Sequence, residues 1–196
     1  MNPPGDPSAR LRWSVYAILI ALVTGSMLGR IMSVNSVDLI SIEGQLVRQG
    51  RKDWQRQRPF LSANDRSRWA TVRSLVEQGT YAIDDVVSQP GWDTIDMVKH
   101  RGRDGQEHLY SSKPPLLATW LAGQYWLINH LTGATLADHS YEIGRFMLVI
   151  NNVGAMLAYF VCLALLAERL GTSDWGRIFM MAAATFGTFL TTFVVA

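Results

Sequence analysis

Three stretches of this chain carry almost no charge and are long enough to cross a lipid bilayer. They are Trp13 to about Met32, Phe146–Ala167 and Ile178–Ala196. About 20 apolar residues at a rise of about 1.5 Å span a hydrocarbon core of about 30 Å. Backbone polar groups in lipid must be satisfied within the segment, so each stretch is expected to be a transmembrane helix. The alternative is three buried helices of a soluble protein, and the charge distribution argues against it. The chain has 18 Lys+Arg and 16 Asp+Glu, and 23 of these charges lie between Val34 and Lys113. Such segregation fits neither a disordered chain nor an ordinary soluble domain with one core.

The expected plan follows. Residues 1–12 form a Pro/Gly-rich tail, and 13–33, 146–167 and 178–196 are the membrane helices. Residues 34–145 make a charged outer loop, and 168–177 a short loop on the other side. Arg10 and Arg12, with Arg169 and Arg177, place the N-terminus and the short loop in the cytoplasm. The first run is expected to be an uncleaved anchor: its apolar part exceeds the about 7–15 residues of a signal-peptide core, and no Ala-x-Ala-like site follows. A third helix still apolar at Ala196 is expected to continue into a larger polytopic protein. The expected location is the plasma (inner) membrane, multi-pass.

The outer loop has structure of its own. Asn64–Gly79 (NDRSRWATVRSLVEQG) reads as an amphipathic helix with Asn64 as N-cap and Gly79 as the residue after its end. At about 100° per residue, Trp69, Val72 and Val76 fall within about 40° of Asp65. The carboxylate therefore shares the apolar face, whereas Arg66 and Arg73 point about 80–100° away. Two roles stand for Asp65: completion of the helix start, or chemistry at a half-buried position. Residues 92–112 read as a hairpin turning at Asp104-Gly105. Lys113-Pro114-Pro115 then makes a rigid corner, because a proline biases its predecessor toward an extended backbone. Residues 114–132 read as an interfacial helix carrying Trp120, Tyr125 and Trp126, with a further membrane span as the alternative.

Several chemistries lack their residues. Cys162 is the only cysteine, so no intrachain disulfide forms. A net charge of +2 does not fit a dedicated nucleic-acid binder. There is no P-loop, no Gly-x-Ser-x-Gly and no His-Glu-x-x-His. His100 and His108 fall on opposite arms of the hairpin, but zinc needs a third ligand that the sequence does not supply. The basic run Arg48, Arg51, Lys52, Arg56, Arg58 suits a wet surface or lipid phosphates.

Asn64-Asp65-Arg66-Ser67-Arg68-Trp69, then Leu75–Gly79, then Tyr110-Ser111-Ser112-Lys113-Pro114-Pro115-Leu116-Leu117, in a loop after the first apolar run, resemble the GT-C membrane glycosyltransferases. Within that family they look like protein O-mannosyltransferases and bacterial aminoarabinose transferases. The resemblance covers about residues 13–196. It implies an all-α polytopic fold with an outer loop of juxtamembrane helices and a small hairpin. It also implies an enzyme that moves a sugar from a polyprenyl-phosphate donor to a hydroxyl of a protein, lipid or glycan acceptor, with inversion. By position Asp65 matches the catalytic acid, Lys113 the lysine that contacts the lipid-linked phosphate, and Arg68 the motif's arginine. Arg66, which stands where the family often has Glu, joins the candidate phosphate-binding residues. Ser112 replaces a Glu found before the lysine in aminoarabinose transferases, so no metal or other cofactor is expected.

Two other classes compete. One is a non-catalytic membrane scaffold or sensor, in which Asp65 is a cap and Lys113 a snorkelling anchor. The other is a transporter segment, whose helices should carry paired ionisable groups; only Asn151 and Asn152 interrupt the second run.

Overall fold

The computed structural model describes residues 7–33, 48, 50, 60, 62–89 and 91–187. In chain order the elements are α1 (Pro7–Ser33), α2 (Ala63–Glu77), α3 (Asp84–Val87), β1 (Met97–Arg101), β2 (Glu107–Ser111), α4 (Pro115–Thr132), α5 (Ser140–Leu148), a π-helical segment (Val149–Val153), α6 (Gly154–Leu170) and α7 (Asp174–Phe186). The described residues are thus mostly helical, with one small two-stranded sheet. The chain divides into two compact units, Met1–Val34 with Leu148–Ala196, and Asn35–Met147.

In the first unit, Tyr16, Val23, Met27 and Ile31 recur at helical spacing on one face of α1 and are buried. Val23, Met27 and Ile31 pack with Val153 and Phe160, and Tyr16 packs with Ala164 and Met181. The other faces are apolar too, with Leu11, Ile18, Leu22 and Met32 exposed. Among the described residues, two helices, Pro7–Ser33 and Ser140–Leu170, are long and apolar enough to cross a membrane. Only 22% and 17% of their most apolar stretches is buried, whereas a soluble core helix would be mostly covered. Asn151 and Asn152, the break in the second run, fall in the π-helical segment.

Several boundaries differ from the sequence expectation: α1 already begins at Pro7, inside the expected 1–12 tail, and the second long helix at Ser140, inside the expected loop. Helix α6 carries Glu168 and Arg169 to its end at Leu170, and α7 already begins at Asp174. The connection is therefore much shorter than 168–177. Ser173 is the reason: its hydroxyl accepts from Gly176 N at 3.2 Å and starts a helix four residues before the expected Ile178. The third apolar run lies within α7 as far as Phe186, while residues 188–196 fall outside the described residues. Residues 1–6 of the tail fall outside them too, as do Arg51, Lys52, Arg56 and Arg58.

The second unit is built on α2, α4 and the hairpin. Trp69, Val72, Ile83, Val86, Trp92, Leu121, Tyr125, Leu136, Ile143 and Met147 share one core. Tyr125 is completely buried; its O–H donates to Glu77 Oε1 at 2.6 Å and accepts from Leu136 N at 2.8 Å. An unpaired phenol there would carry a desolvation cost of about 1–3 kcal/mol. The hairpin is antiparallel, pairing Met97 with Ser111 and His100 with His108. Gly105 turns it with φ +81°, a conformation that favours glycine. Helix α4 buries Ala118, Leu121, Ala122 and Tyr125 and exposes Leu116, Leu117, Trp120, Trp126, Leu127 and Leu131. It contains no Asp, Glu, Lys or Arg on any face.

Candidate functional site

Within the second unit, α2, β2 and the start of α4 line a half-open cavity of about 300 Å³. Arg68 and Thr71 come from α2, Tyr110 and Ser111 from β2, and Lys113, Pro114, Pro115 and Ala118 from the corner and α4. Tyr81 closes another side and shares a hydrogen bond with Thr119 at 2.8 Å. Two cations thus face a small space walled by proline, alanine and tyrosine. Low-polarity walls strengthen any charge interaction inside.

Lys113 does not stand alone there. Its Nζ lies 3.0 Å from Asp96 Oδ2, in an ion pair with both side chains largely covered. Ser112 Oγ donates a short hydrogen bond to Asp96 Oδ1. The backbone around Asp96 is held separately, because its carbonyl accepts from Ser67 Oγ at 2.6 Å. The hydrogen bond from Ser112 holds the Asp96 carboxyl below the usual carboxylate range, with Lys113 and the charge of Arg68 acting in the same direction against burial.

Asp65 sits elsewhere. The N-cap of α2 is Ser62, not Asn64. Ser62 Oγ accepts from Asp65 N at 3.1 Å, and Asp65 Oδ2 accepts from Ser62 N at 3.2 Å and from Ser62 Oγ at 2.6 Å. This reciprocal box satisfies two orphan N–H groups of the helix start. The pattern Ser62-x-x-Asp65 is in the sequence, and the helix begins two residues earlier than an Asn64 cap would allow. Asp65 is half-buried and is not among the cavity-lining residues.

The arginines also depart from a simple two-faced helix. Arg66 and Arg73 are buried, because Trp92–Asp96 crosses the face on which they point. Arg66 Nε donates to the Asp93 carbonyl at 2.7 Å. Arg73 Nε donates to Glu77 Oε2 at 2.8 Å, and its guanidinium lies 5.0 Å from the Trp92 ring centre. Among the four residues singled out by motif, the structure therefore brings Lys113 and Arg68 to one cavity, and puts Arg66 and Asp65 into structural contacts. Asp96, Tyr81 and Tyr110 were missed. Asp96 is placed by the hairpin register of the folded chain, which continues one pair beyond Met97 and Ser111 to set it opposite Ser112.

His108 has a different setting from the one its strand position implied. Although it is the cross-strand partner of His100, its Nε2 lies 2.8 Å from Asp104 Oδ2 and its Nδ1 lies 3.2 Å from Asp84 Oδ2. Only the imidazolium can donate from both nitrogens. The Asp104 hydrogen bond raises the His108 pKa, with Asp84 adding to the effect. The same bond lowers that of Asp104, helped by the Gln106 amide. A raised folded value stabilises fully below the unfolded value of about 6.5 and is lost as pH rises through the folded value. Amide exchange at Gly102 and Leu109 should therefore speed up, relative to the rest of the sheet, as pH rises through the raised His108 value. His108→Gln should flatten that dependence; an unchanged profile in the variant would exclude His108 as its source. Among the described residues, no group of three or more His, Cys, Asp or Glu is placed to hold a metal.

Compared with known protein families, curated proteins and solved structures, the chain matches none.

Proposed function

We propose that the chain is a membrane glycosyltransferase that moves a sugar from a polyprenyl-phosphate donor to an acceptor hydroxyl, and that the cavity beneath the Lys113-Pro114-Pro115 corner receives the phosphate of the donor. The observation that carries this reading is the pairing of Lys113 and Arg68 in one small cavity with apolar walls. A lipid phosphate needs cations for its head and low-polarity walls for the first carbons of its chain. The two long apolar helices, mostly uncovered, support membrane embedding. The motif resemblance supplies the reaction class and the outer face as the side of catalysis.

In the proposed step an acceptor hydroxyl attacks the anomeric carbon. A carbon–oxygen bond forms there as the bond to the phosphate oxygen breaks, and the phosphate leaves with the electron pair. Asp65 takes the hydroxyl proton as general base. Lys113 and Arg68 stabilise the charge growing on the departing phosphate. No cofactor is part of the proposal. The scaffold reading keeps one specific support: the Asp65 carboxylate is already engaged in the capping box.

The test is transfer by the intact protein in liposomes from a panel of labelled polyprenyl-phosphate sugars. Asp65→Asn keeps an acceptor oxygen for Ser62, so α2 should still start correctly. Its transfer rate should nevertheless fall by about 10²–10⁴-fold, the usual contribution of a positioned base. Near wild-type transfer by the variant would remove Asp65 from the chemistry. Transfer of no donor by the wild type would favour the scaffold.

A further inference from the structure

The lysine that this reading assigns to a phosphate is already paired with an anion belonging to the protein. Asp96 Oδ2 lies 3.0 Å from Lys113 Nζ, the cation that the phosphate would need. Its other oxygen is held by Ser112 Oγ, so the carboxylate is aimed at the lysine and not free to rotate away. Arg68, the second cation of the cavity, contributes to the field at the same carboxylate. The segment itself is secured by main-chain contacts: the Asp96 carbonyl accepts from Ser67 Oγ, which is also 2.6 Å from Ser111 Oγ. Removing the carboxylate therefore leaves the strand anchored. Its effect falls on the charge of the lysine.

We propose that Asp96 is a tethered competitor: it occupies Lys113 when the cavity is empty, and a phosphate oxyanion must displace it to bind. This inference rests on the phosphate reading of the cavity and specifies what regulates its affinity. Displacement breaks one partly covered ion pair and makes another, so ligand attraction is largely offset. Weak anions fail to displace the carboxylate. Lys113 passes fully to the phosphate as negative charge accumulates on it, which concentrates the interaction in the transition state instead of the bound ground state. Asp96 is thus a positioning residue that acts through Lys113.

The experiment measures binding of farnesyl phosphate, with inorganic phosphate as a second probe, to the full chain in nanodiscs at low salt. Asp96→Asn is isosteric and keeps an acceptor for Ser112, and Asp96→Ser serves as a second neutral variant. Both should bind farnesyl phosphate about ten-fold more tightly than wild type, the scale of one charged hydrogen bond removed from competition. Asp96→Glu, which restores the negative charge, should return affinity toward wild type. Lys113→Ala should lose binding whatever stands at position 96. A residue that merely held the loop together would give the opposite sign, with weaker binding in Asp96→Asn and Asp96→Ser. Weaker or equal binding in both, with Lys113-dependent binding in the wild type, overturns the competitor and leaves the phosphate cavity standing. Absence of Lys113-dependent binding in every form overturns both. Inorganic phosphate binding equally well would assign the cavity to free phosphate and overturn the lipid-linked reading alone, if the Asp96 variants still tighten it.

Discussion

Lys113→Ala should lower sugar transfer from a polyprenyl-phosphate donor by about 10²–10³-fold, the usual consequence of removing one preorganised charge from a developing oxyanion. The lysine is the residue for which motif and geometry agree most closely. Its backbone is braced by Pro114 and Pro115, its amide N donates to Ser111 Oγ at 3.2 Å, and the residue lines the cavity. The substitution also leaves Asp96 half-covered without its ion-pair partner, which confuses loss of chemistry with loss of local order. The double variant Asp96→Asn/Lys113→Ala separates them, because it removes both charges together. If the double variant recovers thermal stability but not transfer, the lysine acts on the substrate. Full recovery of transfer would assign Lys113 a structural role only. A cycle built from the two single variants and the double gives the coupling energy directly.

The second large effect concerns the first unit. Arg12→Ala should destabilise it by about 3–5 kcal/mol, the range for leaving a buried charge without its partner. Arg12 is 1% exposed, which is exceptional for an arginine and decides how it acts. Its Nε and Nη2 fork onto Glu168 at 2.9 and 2.8 Å, and Nη1 reaches Asp174 at 2.6 Å and Ser8 Oγ at 3.1 Å. Tyr16 O–H donates to the same Glu168 oxygen at 2.9 Å. Removing the guanidinium strands Glu168 at the end of α6. Arg12→Lys should recover only part of the loss, because an ammonium cannot reproduce the bidentate fork. Thermal unfolding in micelles, followed by near-ultraviolet circular dichroism, measures both variants. A fall in stability no larger than about 1 kcal/mol in Arg12→Ala would mean the network behaves as an exposed pair. In the sequence, Arg12 reads as a basic flank that orients the first apolar run. The structure surrounds it with two acids, so its charge is spent inside the unit, and Arg10 is the flank that remains exposed.

Periodicity, turn chemistry and composition determined much of this protein by themselves. The apolar runs mark the two long helices because a helix satisfies its own backbone, whatever its neighbours. The hairpin follows from Asp104-Gly105 because a positive φ is a local demand. Lys113 follows from the proline corner, since Pro114 restricts it directly. The start of α2 is equally local: the reciprocal pair Ser62 and Asp65 sets it, although Asn64 is by itself also a good cap. Other features depend on what packs against what, which no window of residues reports. Burial of Arg66 and Arg73 requires Trp92–Asp96 to cross α2. The Asp96–Lys113 pair joins residues 17 positions apart through strand register. The Arg12–Glu168 pair joins residues 156 apart through helix packing. A charge has no intrinsic partner along the chain: Coulomb attraction is set by distance in space and by the exclusion of water, and only the folded units fix both.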